Sequence, residues 1–203
     1  MKNTIGINGG KAMKVLAING SARKDGNTAI LMNTVLNELN SAGIETELIQ
    51  LAGKTISPCH ACWGCAGRKN CVHVYDAFCD IFEKMKDADG LLLGSPSYSA
   101  NVSATMQALL ERAAVVADIN PGLFTHKAGA SVAAARRAGT LHTVDTMNRF
   151  FLNHEMFVAG STYWNIGYGQ MPGDVSKDTE AITTMQNLGK NMAYLLQALN
   201  TKK

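Results

Sequence analysis

Four cysteines lie within thirteen positions of this 203-residue chain, close enough for their thiols to act together. They occur in the stretch PCHACWGCAGRKNC, residues 58–71, with the spacing C-x2-C-x2-C-x5-C. The four are Cys59, Cys62, Cys65 and Cys71. Clustered thiols of this kind hold iron–sulfur clusters or zinc, form disulfides, or act as redox-active groups. The spacing alone leaves these chemistries open.

The rest of the sequence favours a metal over disulfide bonds. No apolar run approaches the roughly 20 residues that cross a bilayer, and the N-terminal stretch lacks the apolar segment of a signal peptide. We therefore expect a cytoplasmic protein, in which disulfides are rare. Zinc sites more often combine two cysteine pairs with a longer separation, whereas the spacings of the first three cysteines here match those of bacterial ferredoxins. We predict that all four thiolates hold one [4Fe–4S] cluster, with zinc or free redox-active thiols as alternatives.

Composition indicates an ordinary globular domain. Hydrophobic residues make up 46% of the chain and charged residues 17%, which excludes a disordered protein. The net charge of +3 is small, and no block of lysine and arginine is present. We therefore predict neither a nucleic-acid partner nor a membrane partner.

Apolar runs and helical patterns alternate along the chain from Met13. The predicted strands are residues 14–19, 45–51, 90–95, 129–135 and 155–161, and the predicted helices are residues 27–43, 76–88, 104–118, 142–154 and 178–199. Such alternation predicts an α/β fold, a three-layer doubly wound domain with a parallel five-stranded sheet of flavodoxin-like order 2-1-3-4-5. We assign residues 1–12 to an N-terminal extension and residues 13–203 to this single domain, whose cysteine-rich loop 58–71 follows the second strand.

Three polar loops follow the first, third and fourth predicted strands. Because the carboxyl ends of parallel strands share one sheet edge, these loops are expected to form one site. The first, INGSARKDGNTA, offers hydroxyls, an amide, a cation and helix N-terminal amides, which together suit a phosphate. The second, GSPSYSANVSA, suits a flat heterocycle, and the third, AAARRAGTLH, brings small residues and two arginines. Taken alone, the first loop is equally typical of a capped polar turn, whereas the second is more typical of a plain turn and paired surface arginines like those of the third are more often solvated.

Taken in order, these motifs resemble those of the flavodoxin-like NAD(P)H-dependent FMN reductases. NGSARKDGNTAIL is similar to their phosphate loop, GSPSYSANVSATMQALLER to their flavin-ring loop, and AAARRAG to their third loop. With the cysteine pattern, the chain most resembles the iron–sulfur flavoprotein branch, which carries a [4Fe–4S] cluster beside FMN. The resemblance implies phosphate contacts from Ser21, Arg23, Asn27 and Thr28, isoalloxazine contacts from Pro96, Ser97, Tyr98 and Asn101, and contacts on the other side of the ring from Ala135, Arg136 and Gly139.

The resemblance implies an FMN-dependent oxidoreductase or electron-transfer flavoprotein, in which the cluster relays electrons to or from FMN. Its redox partner would be a ferredoxin-like electron carrier or NAD(P)H, and the protein would form a homodimer or homotetramer. One alternative is a cluster-free NAD(P)H-dependent FMN or quinone reductase. Another is a thiol redox sensor or electron carrier without turnover. No arrangement of serine, histidine and carboxylates for acid–base or nucleophilic catalysis is predicted.

Overall fold

A computed structural model describes residues 12–200 of the chain. The strands are β1 (Lys14–Asn19), β2 (Glu45–Gln50), β3 (Gly90–Pro96), β4 (Ala128–Ala135), β5 (Phe157–Val158) and β6 (Ile166–Tyr168). The α-helices are α1 (Asn27–Ser41), α2 (Phe78–Asp87), α3 (Ala104–Ile119), α4 (Thr140–Asn153) and α5 (Thr179–Asn200), with a 3-10 turn at Asp174–Lys177. The predicted N-terminal extension, residues 1–12, lies outside the described residues except for Ala12.

The strands form one parallel sheet in the order β2-β1-β3-β4-β5, with β6 also paired to β4. This confirms the predicted doubly wound order. Alternate residues of β1 enter opposite layers: Leu16 and Ile18 pack with α2, α3 and α4, whereas Val15 and Ala17 pack with α1 and α5. Because both faces are covered, the inner strands β1, β3 and β4 are nearly continuous apolar runs. Within residues 12–200, no helix has the length and apolar character needed to span a bilayer.

The fifth strand differs from its prediction. Instead of one strand over residues 155–161, β5 has two residues paired with Ala128 and Gly129, and β6 pairs with Ala133–Ala135 further along β4. Between them, residues 160–164 leave the sheet, so none of the described strands lies opposite residues 130–132 on that side. Both β5 side chains are exposed, so the apolar run EMFV lacks the buried faces that sustain an inner strand.

Candidate functional site

The loops that follow β1, β3 and β4 begin side by side at the carboxyl edge of the sheet. The Gly20 amide donates to the Gly94 carbonyl at 2.7 Å, and the Ser97 amide donates to the Ala134 carbonyl at 2.8 Å. These bonds extend the sheet ladder past the strand ends into the loops. The edge is therefore assembled as predicted, on a backbone that the sheet itself holds rigid.

The first loop is fixed around Ser21, which is buried. Its amide donates to Asn19 Oδ1 at 3.0 Å, its hydroxyl accepts from the Arg23 amide at 3.1 Å, and its carbonyl accepts from Gln50 Nε2 at 2.6 Å. The Arg23 side chain is exposed. Helix α1 then begins after Gly26, which provides no side-chain cap, and its first turn carries no acidic residue. Uncapped first-turn amides suit an anion.

Asn27, the first residue of α1, has both ends of its side-chain amide engaged. Its Nδ2 donates to the carbonyls of Gly169 and Met171, and its Oδ1 accepts from the amides of Gly173 and Val175. These contacts fasten the segment after β6 to the start of α1. Four hydrogen bonds fill the capacity of a side-chain amide. The phosphate contact of Asn27 stays a prediction, and the observed bonds give this side chain a positioning role instead.

The second loop makes a tight turn at Tyr98–Asn101. Tyr98 and Asn101 exchange backbone hydrogen bonds of 2.8 and 3.0 Å, and the central residues Ser99 and Ala100 have φ values of 50° and 59°. Such turns normally contain Asn or Gly, because other residues are strained at positive φ. The turn leaves the Tyr98 ring exposed at the site. Backbone strain of this kind concentrates at functional sites.

The third loop packs directly against the second. Helix α4 begins at Thr140, two residues before the predicted start, and Gly139 precedes it with a φ of 87°. A Cβ at this position would lie 2.8 Å from the Ala100 Cα and 2.9 Å from Ser97 Oγ. Only glycine fits this contact. Ala135 ends β4 and is buried, whereas Arg136 is exposed at the same edge.

Two buried polar atoms at this edge lack a hydrogen-bond partner among the described residues. They are Asn19 Nδ2, at the end of β1, and Ser97 Oγ, just past β3. Leaving such a group unsatisfied costs about 1–3 kcal/mol, and unpaired groups at a site are explained by a ligand. Pro96 ends β3, and Thr28 is buried in the first turn of α1. The edge therefore combines free polar groups, helix amides and an exposed ring, a set that fits a phosphorylated heterocycle such as FMN.

The cysteine loop is built differently, since residues 51–77 contain no helix or strand. Cys65 is buried, Cys59 and Cys71 are half-buried, and Cys62 is exposed, all four as free thiols. Burial raises the pKa of the Cys65 thiol, and the neighbouring Cys71, Cys59 and Cys62 raise it further. Across residues 12–200, however, no three or more histidine, cysteine or acidic side chains are gathered closely enough to hold a metal ion.

The same loop carries donors directed at its sulfur atoms. The Ala61 amide donates to Cys59 Sγ at 3.4 Å, and the His73 amide donates to Cys71 Sγ at 3.4 Å. Ala61 and Trp63 also have positive φ values of 50° and 58°. Backbone amides on sulfur are one of the features that tune iron–sulfur clusters. Four cysteines with such donors fit a four-thiolate centre in number and kind.

Side chains of α3 and of Asn120, the residue after its end, fasten this loop to the domain, which sequence analysis did not foresee. Glu111 Oε1 accepts from the Cys59 amide at 3.0 Å, and Asn120 Nδ2 donates to the Cys65 carbonyl at 3.0 Å. Between them, Arg112 Nε donates to Cys71 Sγ at 3.2 Å. One signal was available, because Arg112 falls on the buried face of α3 that includes Leu109 and Val116, where a charge is unusual.

Arg112 forms a buried ion pair with Asp76. Its Nη1 lies 2.7 Å from Asp76 Oδ2, and the two side chains are 2% and 0% exposed. Burial alone would raise the pKa of Asp76. Hydrogen bonds from the amides of Ser57 and Phe78 and from Arg112 outweigh this effect and lower the pKa below its usual range. The carboxylate is therefore charged in the folded protein, and it neutralises the buried arginine.

Sequence comparison relates the chain to a family of FMN reductases and to iron-sulfur flavoproteins. The family described as NADPH-dependent FMN reductase matches residues 13–170. An iron-sulfur flavoprotein of Methanocaldococcus jannaschii is 38% identical over 195 residues, covering 92% of this chain and 99% of the relative. An iron-sulfur flavoprotein of Methanosarcina thermophila is 28% identical over 193 residues, covering 94% of this chain and 99% of the relative.

Solved structures agree on the fold. The crystal structure of RosB with bound 8-demethyl-8-formylriboflavin-5'-phosphate aligns with a TM-score of 0.76 and 17% identity, covering 94% of this chain and 81% of that one. A flavodoxin from the domain Archaea aligns with a TM-score of 0.59 and 14% identity, covering 91% of this chain and 99% of that one. The profile match covers most of the chain, and the first relative is similar along its whole length. The chain therefore belongs to the NADPH-dependent FMN reductase family and is a flavin-dependent oxidoreductase.

Proposed function

We propose that the protein binds FMN at the carboxyl edge of the sheet. In this proposal the phosphate lies at the start of α1, where the first-turn amides and the hydroxyls of Ser21 and Thr28 receive it and Arg23 supplies positive charge from solvent. Asn27 acts by holding the segment 169–175 against α1, since its side chain is engaged there. The uncapped helix start supports this placement.

The isoalloxazine ring would lie against the second and third loops. Tyr98 offers an exposed ring, and the unpartnered Ser97 hydroxyl and the backbone of Pro96 offer polar contacts at the ring edge. Asn101 holds the turn, because its Oδ1 accepts from the Val102 amide and from Thr146 Oγ1. From the other side, Ala135 and Gly139 allow close approach, and Arg136 contributes positive charge to the edge.

We propose that Cys59, Cys62, Cys65 and Cys71 hold one [4Fe–4S] cluster. When bound, FMN exchanges one or two electrons and the cluster exchanges one, so the pair would link a one-electron carrier to a two-electron acceptor. The protein's own part is to orient the loop from α3 and to shield Cys65. A cytoplasmic location suits free thiols and a cluster. The partners we propose are a ferredoxin-like carrier or NAD(P)H, with a second or further copies of the chain.

The single observation that carries this proposal is the joint presence of the flavin edge, whose second loop leads into α3, and the four-cysteine loop, which side chains of α3 hold. The test is a count of iron, acid-labile sulfide and flavin in protein purified without oxygen. We expect about four iron atoms and four sulfides per chain, the content of one such cluster, together with FMN. Protein that contains FMN but neither iron nor sulfide would refute the cluster and leave the flavin.

A second candidate is a cluster-free NAD(P)H-dependent FMN or quinone reductase. It is favoured by the family description, which names NADPH and FMN and no cluster. Anaerobic mixing with NADPH separates the two functions. Rapid loss of the absorbance of the oxidised flavin without added ferredoxin supports the reductase. Loss only after reduced ferredoxin is added supports the electron-transfer flavoprotein.

A further inference from the structure

Arg112 is a charged side chain enclosed in the apolar layer beside the cysteine loop. Its side chain is 2% exposed, and its guanidinium carbon lies 4.3 Å from the centre of the Phe78 ring. A buried charge is tolerated only where it is paired and its hydrogens are satisfied. Asp76 provides the charge at 2.7 Å. The remaining guanidinium N–H groups make contacts other than this ion pair.

Those hydrogens are directed at the cysteine loop. Nε donates to Cys71 Sγ at 3.2 Å, Nη2 donates to the His73 carbonyl at 2.5 Å, and Nη1 also reaches the Ser57 carbonyl at 3.5 Å. Ser57 and His73 lie just outside the two ends of the segment that carries all four cysteines. The Arg112 side chain therefore bonds to the backbone at both ends of this segment and contacts the sulfur of its last cysteine.

Asp76 also binds the backbone next to the cysteine-bearing segment. Its Oδ2 accepts from the Ser57 amide at 2.8 Å, and its Oδ1 accepts from the Phe78 amide at 3.1 Å. The carboxylate thus joins the entry of the loop to the first residue of α2, while holding Arg112 in place. Because the planar guanidinium offers donors in several fixed directions, lysine could not make the same set of contacts.

We propose that Arg112 is a positioning residue that fixes Cys71 in the metal-free protein and places a buried positive charge against its sulfur. The second part rests on the proposed cluster. A cation and an N–H donor at a ligand sulfur favour the cluster state that carries the extra electron, so the Arg112 charge raises the cluster's reduction potential. Helix α3 also begins beside the second flavin loop, since Ser103 caps it by accepting from the Met106 amide. Ser103 and Arg112 are about 13 Å apart along the helix axis, so one rigid element carries both supports.

The first test uses metal-free protein and hydrogen exchange. The variant R112Q/D76N removes both charges together and so avoids leaving either one buried and unpaired. We expect amide exchange in residues 57–73 to become at least tenfold faster, with exchange in α5 unchanged. R68Q is the matched control, because it removes one exposed positive charge from the same loop and leaves exchange unchanged. Equal exchange in R112Q/D76N and the natural protein would overturn the positioning role.

The second test measures the reduction potential of the bound cluster by anaerobic titration followed by electron paramagnetic resonance. D76N removes the negative charge and keeps Arg112, so its potential shifts upward from that of the natural protein. R112Q/D76N then lies below D76N, and R68Q matches the natural protein. R112K keeps the charge but loses the Nε contact. We therefore expect faster amide exchange in residues 57–73 and a reduction potential close to that of the natural protein. A potential of R112Q/D76N equal to or above that of D76N would assign Arg112 a purely structural role and overturn the electrostatic part.

The two tests separate this inference from the cluster proposal. If the natural protein takes up no iron, the cluster proposal and the electrostatic part fail together, whereas the exchange experiment still decides the positioning role. If iron is present and exchange in residues 57–73 is unaffected by R112Q/D76N, the positioning role fails and the cluster proposal stands.

Discussion

The flavin edge and the cysteine loop are held in place by different means. At the flavin edge, the loops continue the hydrogen-bond ladder of β1, β3 and β4. In the cysteine loop, the 27 residues between 51 and 77 contain no helix or strand, and side chains of Glu111, Arg112 and Asn120 provide the attachments. Sheet bonds come from the backbone and survive most substitutions, whereas the cysteine loop depends on particular side chains.

This difference predicts which of the two sites should tolerate amino-acid substitutions. A site built on strand ends is preorganised before its cofactor binds, as rigid elements place their loops precisely enough for function. A loop held by a few side chains is ordered partly by what it binds, because metal binding and folding are coupled. We therefore expect the two sites to fail independently, and to respond differently to single substitutions.

The largest expected effect separates the two sites completely. Cys65→Ser removes the buried cysteine, and we expect iron and sulfide to be lost while FMN stays bound, because the sheet ladder holds the flavin edge. Absorbance spectra with iron, sulfide and flavin assays measure both. Cys79→Ser is the control, since this helix cysteine is not one of the four predicted ligands and a serine hydroxyl can donate, as its thiol does, to the carbonyls of Cys71 and His73. Loss of FMN from C65S would contradict the expectation that the two sites fail independently.

The second prediction concerns the contact between the two ring loops. Gly139→Ala introduces a Cβ 2.8 Å from the Ala100 Cα, and we expect FMN to bind roughly 10- to 100-fold more weakly, which corresponds to about 1.4–2.8 kcal/mol. Gly122→Ala is the matched control, because Gly122 has the same φ of 87° and nothing within 4 Å of the added Cβ. Both variants lose stability through backbone strain. Equal FMN affinity in the two would show that the loop contact is irrelevant to the flavin.

A third, smaller effect sharpens the contrast in the cysteine loop. Asn120→Ala removes the donor to the Cys65 carbonyl and the acceptor for the Lys69 amide. We expect a local loss of about 1–2 kcal/mol, seen as faster proteolysis within residues 59–71 and unchanged FMN affinity. Asn153→Ala, which removes only an exposed hydrogen bond to Asp118, should leave proteolysis unchanged. A cysteine loop equally resistant in N120A would mean that Asn120 does not restrain it.

The smallest effect relieves strain at the flavin edge. Replacing Ser99 and Ala100 by Asn and Gly suits the positive φ values of this turn, and we expect a gain of about 1 kcal/mol in the free energy of unfolding. For a domain of this size that gain raises Tm by about 2–4 °C, measured by circular dichroism on flavin-free protein. FMN affinity should hold within about threefold. A lower Tm would mean that the turn is not strained.

Much of the fold could be predicted because burial leaves a strong pattern in the inner strands. β1 begins and ends as predicted, and β4 starts one residue earlier at Ala128, since strands covered on both faces are continuous apolar runs. The outer strand was predicted wrongly, because EMFVAGS has an apolar run without the burial that sustains a strand. Local sequence carries no information on what covers the outer side of β4.

The candidate site divides in the same way. Loops at strand ends could be predicted, since the sheet order alone brings them together. The attachment of the cysteine loop could not, because Arg112 lies 41 positions from Cys71 and only the packing of α3 joins them. Asn27 shows a further limit. Its amide suits a phosphate by type, yet the structure uses it to hold residues 169–175, a segment that no local pattern connects to α1.

The divided fifth strand has a consequence for how the molecule behaves among its copies. A long, flat outer strand invites another chain to add to the sheet, which leads to aggregation. Here one border of the sheet consists of the short strands β5 and β6, two and three residues long, and residues 160–164 leave the sheet between them. At the other border, Glu47 of β2 pairs with Lys14 and Lys84. We expect concentrated solutions to resist strand-to-strand polymerisation, so any assembly of this protein should use its helices and loops.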